Sequence, residues 1–137
     1  MLKKSLPLTG TGDETRDFTY VLDLVQGLIK ATYYETAIGQ AFNLASGRET
    51  KIKDLIQMVN TTTGNKNPVS TYPVRKWDTK KRLLASIDLA AELIDYKPTT
   101  KFKDGLKANM QWFKTNWDII QDAADFPVGM SSAVRKK

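Results

Sequence analysis

The sequence predicts a mixed α/β domain that combines short strands with about four helices. Its length of 137 residues suits one domain, and its content of 41% apolar and 26% charged residues is typical of globular proteins. Short extended segments are interspersed with segments in which apolar residues recur at spacings of three and four, as helices require. The predicted order, β-β-α-β-α-β-α-α, lacks the regular alternation of a doubly wound nucleotide-binding sheet.

Residues 6–10 and 15–20 are predicted to form the first two strands. The first, LPLTG, is extended by its proline and ends in a glycine turn. The second, TRDFTY, places Arg16 where the strand enters the core. Gly27 in the helix that follows indicates close packing against a neighbour, because glycine weakens a helix by about 1 kcal/mol relative to alanine. The apolar stripe of this helix consists of Val21, Leu24, Val25, Leu28 and Ile29.

The next two elements are a strand and a second helix. Residues 41–45, AFNLA, are predicted to be a short buried strand. Thr50 is predicted to cap the helix, and Gly64 ends it because glycine adopts the left-handed conformation without penalty. The apolar stripe of this helix consists of Ile52, Leu55, Ile56 and Val59.

The second half of the chain predicts one extended segment and two helices. Residues 69–74 are extended, and Pro73 favours an edge position. Asp88 is a predicted cap for a short helix that ends before Pro98. Residues 125–137 lack periodicity and are predicted to form a flexible tail. The last helix carries the strongest apolar stripe, which consists of Phe102, Leu106, Met110, Phe113, Trp117 and Ile120.

Composition excludes several kinds of site. The chain has no cysteine and no histidine, so disulfides, thiolate metal sites and a Ser-His-Asp triad are impossible within it. No apolar run reaches the length of a membrane span, and the first residues do not form a secretory signal. A reducing cytoplasm is therefore the expected compartment. The net charge of +6 and the basic cluster at residues 75–82 attract anions without specifying which.

Four motifs occur in a fixed order: GDETRDFTYVLD, AFNLASG, PVRKWDTKKRLLASIDLAAELIDYKP and FKDGLKANMQWFKTN. Together they resemble the C-terminal substrate-binding lobe of extended short-chain dehydrogenases/reductases, the NAD-dependent nucleotide-sugar epimerases, dehydratases and decarboxylases. The resemblance runs from about residue 6 to residue 117. It implies that residues 1–124 are such a lobe, without the Rossmann domain that binds NAD in the family.

The chain departs from the family pattern at several positions. Ala45 stands where the family usually has glycine, and Lys101 where a capping serine is common. Asp95 replaces another glycine, but aspartate tolerates left-handed geometry and is still expected to end its helix. The glycine-rich NAD loop is absent from the sequence. Tyr72 and Lys76 have the spacing of the family's Tyr-x-x-x-Lys pair, but their segment is extended, so we interpret the match as a coincidence.

The resemblance implies a binding site rather than a catalytic one. It assigns Arg16 and Arg75 to the diphosphate of a nucleotide sugar, which guanidinium groups bind through fixed pairs of donors. Asn43 would offer an amide to a phosphate or ribose oxygen, or it caps a turn. Asp78 would accept from a ribose hydroxyl, orient Arg75 or serve as a cap. Arg16 has an alternative interpretation, in which it pairs with a nearby carboxylate of Asp13, Glu14 or Asp17.

Three functions remain open from the sequence. The first is a nucleotide-sugar binding lobe that is not catalytic alone and has no cofactor of its own, although the family uses NAD. The second is a non-enzymatic basic module for nucleic acid or another polyanion, which the absence of a nucleic-acid motif disfavours. The third is a lobe that completes a partner carrying the cofactor half, and its bare apolar face would also promote self-association.

Overall fold

The computed structural model describes residues 4–123, and over these residues the predicted mixed α/β fold is confirmed. The predicted tail at 125–137 lies outside the described residues. The strands are β1 (Pro7–Thr9), β2 (Thr15–Asp17), β3 (Glu49–Lys51), β4 (Ser70–Tyr72) and β5 (Arg82–Leu83). The helices are α1 (Val21–Tyr33), α2 (Ile52–Thr63), α3 (Asp88–Ile94), α4 (Phe102–Thr115) and α5 (Trp117–Ala123), with a 3-10 turn at Glu35–Ala37.

The strands form two small sheets. In one, β1 pairs with β4 in parallel. In the other, β2 is central, antiparallel to β3 and parallel to β5. The segment at 69–74 is therefore an edge strand over its central residues, as Pro73 indicates.

Two strand predictions were wrong in extent or place. The second strand ends at Asp17 rather than at residue 20, because Tyr20 already acts as the N-cap of α1. Residues 41–45 form no strand, since no described strand lies beside them to complete a ladder. Thr50 lies within β3 instead of capping α2, whose N-cap is Lys51 without a side-chain hydrogen bond.

Glu49, on the edge strand β3, links the three strands of its sheet. Its carboxylate accepts hydrogen bonds from the Thr15 hydroxyl at 2.6 Å and from Arg82 Nε and Nη2, each at 2.7 Å. One side chain on β3 thus contacts both other strands of the sheet. The hydrogen bonds from Arg82 and Thr15 lower the pKa of Glu49 to about 2.

The core lies between α1 and α3. Ala90, Ile94 and Tyr96 are almost completely buried, and Leu44 is among the half-buried side chains that pack against them. The Tyr96 hydroxyl donates to the Ala45 carbonyl at 3.1 Å, and burial raises the pKa of this phenol. The predicted close contact at Gly27 is confirmed: a Cβ there would lie 2.7 Å from Leu44 Cδ2 and 2.8 Å from the Tyr96 ring.

Two carboxylates of the segment RDFTYVLD bind loops that are distant in the sequence. Asp17 accepts from the backbone N–H groups of Ser46 and Gly47, at 3.0 and 2.9 Å. Asp23, only 6% exposed, accepts from the N–H groups of Thr99 and Thr100, at 3.3 and 3.1 Å. Because both acids satisfy backbone donors, they fix the start of α1 relative to distant loops.

The helix ends follow the sequence closely. Gly64 and Asp95 both adopt the left-handed conformation, with φ of 65° and 50°, as predicted. Asp88 begins α3 rather than capping it, and its N–H donates to the Ser86 hydroxyl.

The single last helix was predicted wrongly, because it is divided at Asn116 into α4 and α5. Its predicted apolar stripe is still the less exposed face of both helices.

The stripe predicted for α1 faces away from this core. Asp23 and Gly27 are the buried residues of this helix, whereas Val21 and Leu28 are 58% and 54% exposed. The α1 backbone can approach the Tyr96 ring this closely only at a residue without a side chain, so Gly27, and not a larger apolar residue, lies at the contact.

None of the helices within residues 4–123 is long and apolar enough to cross a membrane.

We expect Glu49→Gln to lower the urea midpoint of unfolding at pH 7. The folded pKa of Glu49 is depressed, so its stabilisation is present above the ordinary value near 4.5 and is lost as the pH falls towards 2. The difference from wild type should therefore shrink between pH 5 and pH 2. A difference that stays constant over this range would contradict the assigned ion pair.

We expect Asp23→Asn to destabilise the fold by about 1–3 kcal/mol. The N–H groups of Thr99 and Thr100 bind different oxygens of the Asp23 carboxylate, and an amide has only one oxygen, so one N–H loses its acceptor at the buried side chain. Chemical denaturation measures this loss. Glu92→Gln, the same change at an exposed site on α3, is the matched control and should be nearly neutral. Equal effects of the two changes would contradict the anchoring role of Asp23.

Candidate functional site

Arg16 and Arg75, which are remote in the sequence, line one cavity of about 270 Å³. Its other walls come from β1, from Glu14, from the first residue of α2 and from Asp78. Two guanidinium groups and two carboxylates therefore converge on a single recess. The structure thus brings together three of the four side chains that the sequence predicts for the site.

Strand geometry determines which side chains reach this cavity. Successive residues of a strand point to opposite faces, so Pro7 and Thr9 of β1 line the cavity while Leu8 lines a larger cavity beneath α2. In β2, Arg16 faces the cavity, whereas Asp17 binds the turn at residues 46–47. The adjacent residues Arg16 and Asp17 thus place a cation and a structural acid on opposite sides of one strand.

Arg16 is half-buried and keeps most of its donors uncommitted. Its Nη1 donates to the Thr15 carbonyl at 2.7 Å, and none of the ion pairs formed by the described side chains involves its guanidinium. The alternative pairing with Asp13 or Asp17 is wrong, because Asp13 pairs with Lys53 at 2.6 Å and Asp17 binds backbone N–H groups. Glu14 shares the cavity without forming an ion pair to Arg16.

Arg75 is held in a fixed orientation. Its Nε and Nη2 donate to the two carboxylate oxygens of Asp78, at 2.7 and 3.1 Å, and its Cζ lies 5.7 Å from the centre of the Trp77 ring. These hydrogen bonds, with weaker attraction from Arg75 and Arg16 charges, lower the pKa of Asp78. The expectation that Asp78 contacts and orients Arg75 agrees with this geometry.

Asn43 is placed elsewhere. Its Nδ2 donates to the Ser86 carbonyl at 3.2 Å, and it is not among the residues that line the cavity. Glu14, in contrast, lines the cavity but was not among the predicted site residues. A signal for it existed in the sequence, since residues two apart on an extended segment share a face, and Glu14 precedes Arg16 by two.

The basic cluster at 75–82 is partly neutralised. Arg75 pairs with Asp78 and Arg82 with Glu49, which leaves the lysines of the cluster without an ion pair in the described part of the chain. Tyr72 lies in β4 and Lys76 in the loop after it, so no helix aligns these two side chains. Within residues 4–123, no group of three acidic side chains is arranged to hold a metal ion.

The chain is similar to several epimerases and dehydratases, although no protein-family model matches it. The structure of the epimerase Mth375 from Methanothermobacter thermautotrophicus superposes with a TM-score of 0.87 and 44% identity, over 90% of this chain and 37% of that one. The Bordetella bronchiseptica enzyme WbmF, solved with NAD+ and UDP, is 33% identical with a TM-score of 0.74, over 88% and 35%. A UDP-glucuronate 4-epimerase from Thermodesulfobacterium geofontis is 29% identical over 123 residues, 87% of this chain and 36% of the relative.

These matches establish a relation that covers most of the chain but only part of each relative. The chain is homologous to NAD-dependent nucleotide-sugar epimerases and dehydratases. It spans roughly a third of the length of the curated relatives that it matches.

We expect the Asp78 carboxyl to titrate below its ordinary range, as followed by the chemical shift of its side-chain carbon. Arg75→Gln should raise this pKa strongly and Arg16→Gln more weakly, because Arg75 supplies the hydrogen bonds and Arg16 only a charge. Arg48→Gln removes an exposed arginine that does not line the cavity and serves as the control. A titration unaffected by Arg16→Gln would contradict the shared cavity.

Proposed function

We propose that this chain binds the diphosphate of a nucleotide sugar between Arg16 and Arg75, and that it does not catalyse a reaction alone. The observation that carries the proposal is the convergence of these two arginines on one cavity. Two guanidinium groups repel each other, so bringing them together costs free energy. A bound diphosphate between them would remove that cost. Charge-assisted hydrogen bonds to phosphate are also among the strongest that side chains make.

The free donors of the two arginines suit this ligand. Arg75 uses Nε and one N–H of Nη2 on Asp78, so the donors of Nη1 remain for a phosphate oxygen. Arg16 spends one donor of Nη1 on its neighbouring carbonyl and retains the others. Asp78 would hold the Arg75 fork in place while phosphate binds its open side, which reduces the side-chain entropy lost on binding.

The relatives support the ligand class without specifying a reaction. They include a UDP-glucuronate 4-epimerase and a dTDP-glucose 4,6-dehydratase, whose named substrates share a nucleoside diphosphate. WbmF, also related at 33% identity, was solved with UDP bound. We therefore assign the diphosphate as the recognised group and leave the base and the sugar unassigned.

Three further parts of the proposal concern the cofactor, the side chain of Asn43 and the alternative of polyanion binding. Hydride chemistry in the relatives depends on NAD, for which this sequence has no glycine-rich loop, so turnover would require another domain. Asn43 donates to Ser86, and it would reach a ligand only by exchanging that bond. A polyanion-binding module is less favoured, because both arginines of the basic cluster are already paired with carboxylates.

Calorimetric titration with UDP-glucose, dTDP-glucose and GDP-mannose tests the proposal. We expect binding of at least one of them, and we expect Arg16→Gln to weaken it by roughly tenfold to a hundredfold, equivalent to about 1.5–3 kcal/mol for lost hydrogen bonds to a charged group. Arg75→Gln should have a similar effect.

The matched control is Arg48→Gln, which changes the net charge equally but lies outside the cavity. If Arg48→Gln weakens binding as much as Arg16→Gln, the interaction is a general charge effect and the proposal is wrong. Absence of heat with every nucleotide sugar, from protein shown by circular dichroism to be folded, would also overturn it. Tight, strongly salt-dependent binding of random DNA would favour the polyanion module instead.

A further inference from the structure

Glu14 contributes to the arginine cavity a carboxylate that has no counter-ion. Asp78, the other acid that lines this cavity, accepts hydrogen bonds from Arg75 with both of its carboxylate oxygens. The Glu14 carboxylate, in contrast, forms no hydrogen bond or ion pair with the residues that the structure describes. Its side chain is half-buried. A partly desolvated charge without a partner is unfavourable, so its place in the cavity points to a role towards the ligand.

The position of this carboxylate is fixed by its surroundings. The N–H of Ile52 donates to the Glu14 carbonyl at 3.0 Å, which ties the Glu14 backbone to the start of α2. The side chain lies over the turn that follows β1, where its Oε1 is 3.0 Å from the place that a Cβ would take at Gly10. Val74 Cγ2 is 3.1 Å from the same place. Packing therefore holds the carboxylate against the cavity wall, and its acceptors remain unoccupied.

The cavity is small enough for this charge to act on a bound phosphate. A sphere of 270 Å³ would be about 8 Å across, which does not exceed the distance of about 8 Å over which physiological salt screens charges. A terminal phosphate carries roughly 1.5–2 negative charges at pH 7, because its second proton dissociates at about pH 6. A phosphate that is esterified to a sugar lacks this second ionisation, and the sugar brings hydroxyl donors next to it.

We propose that Glu14 makes the site selective for nucleoside diphosphates that are esterified to a sugar, over free nucleoside diphosphates. Arg16 and Arg75 alone would favour the free diphosphate, because it carries more negative charge. The Glu14 carboxylate reverses this preference, since it repels the extra charge of a terminal phosphate and accepts a hydrogen bond from a sugar hydroxyl. This inference rests on the proposed diphosphate site and assigns to it a residue that determines specificity.

Calorimetric titration with UDP and UDP-glucose at pH 7 tests the inference through the ratio of their two dissociation constants. The dTDP or GDP pair replaces them if that nucleotide binds instead. We expect Glu14→Gln to tighten binding of the free diphosphate by roughly tenfold, because the change removes a repelling charge from a partly exposed site. Binding of the nucleotide sugar should change little, because the amide oxygen of glutamine still accepts from a hydroxyl.

Two further variants complete the test. Glu14→Ala removes the acceptor together with the charge, so it should weaken binding of the nucleotide sugar and still tighten binding of the free diphosphate. Glu35→Gln is the matched control, because it removes the same charge at an exposed position outside the cavity. It should leave the ratio of the dissociation constants unchanged. Circular dichroism checks that each variant is folded.

The outcomes separate this inference from the proposed function. If no free or sugar-linked diphosphate of the three nucleotides binds to the folded wild-type chain, the proposed function is wrong and this inference falls with it. If they bind, but Glu14→Gln alters both dissociation constants equally or neither, the diphosphate site stands and the selectivity role of Glu14 is overturned. An equal change of the ratio by Glu35→Gln would attribute the effect to net charge and would overturn that role as well.

Discussion

The two-sided geometry of β2 is the constraint on which both the fold and the candidate site depend. Within three residues, this strand pairs with β3 and β5, directs Arg16 into the cavity and directs Asp17 to the turn at residues 46–47. A shift of register by one residue would exchange these two faces. Arg16 would then face the turn at residues 46–47, and the carboxylate of Asp17 would face the cavity. Glu49 on β3 opposes such a shift, because its carboxylate bonds Thr15 on β2 and Arg82 on β5 at the same time.

The sequence predicted best those features that depend on local chemistry. The left-handed helix ends at Gly64 and Asp95 and the glycine contact within α1 follow from the conformational range of single residues. The strand at 41–45 failed for the opposite reason, since a strand needs a neighbour and the pattern of one segment cannot supply it. The division of the last helix at Asn116 also escaped prediction, because the apolar period continues across the break.

The candidate site was predictable to a similar degree. The order of the sequence motifs identified Arg16, Arg75 and Asp78 as candidates, and all three line one cavity. Glu14 was missed because it was considered only as a partner for Arg16, although it lies two residues before Arg16, directly ahead of β2, and lines the same cavity. Asn43 lies outside this cavity and donates to the Ser86 carbonyl, so its role in binding a ligand stays a prediction.

The tight contact at Gly27 has a mechanical consequence. With no side chain between α1 and the Tyr96 ring, the helix cannot roll or slide without colliding with a residue that is itself fixed by its bond to Ala45. We therefore expect the helix, the ring and residues 44–45 to move together. A force applied to α1 from outside would be carried along the chain to Asp17, four residues before the helix begins, and hence to the back of the strand that presents Arg16.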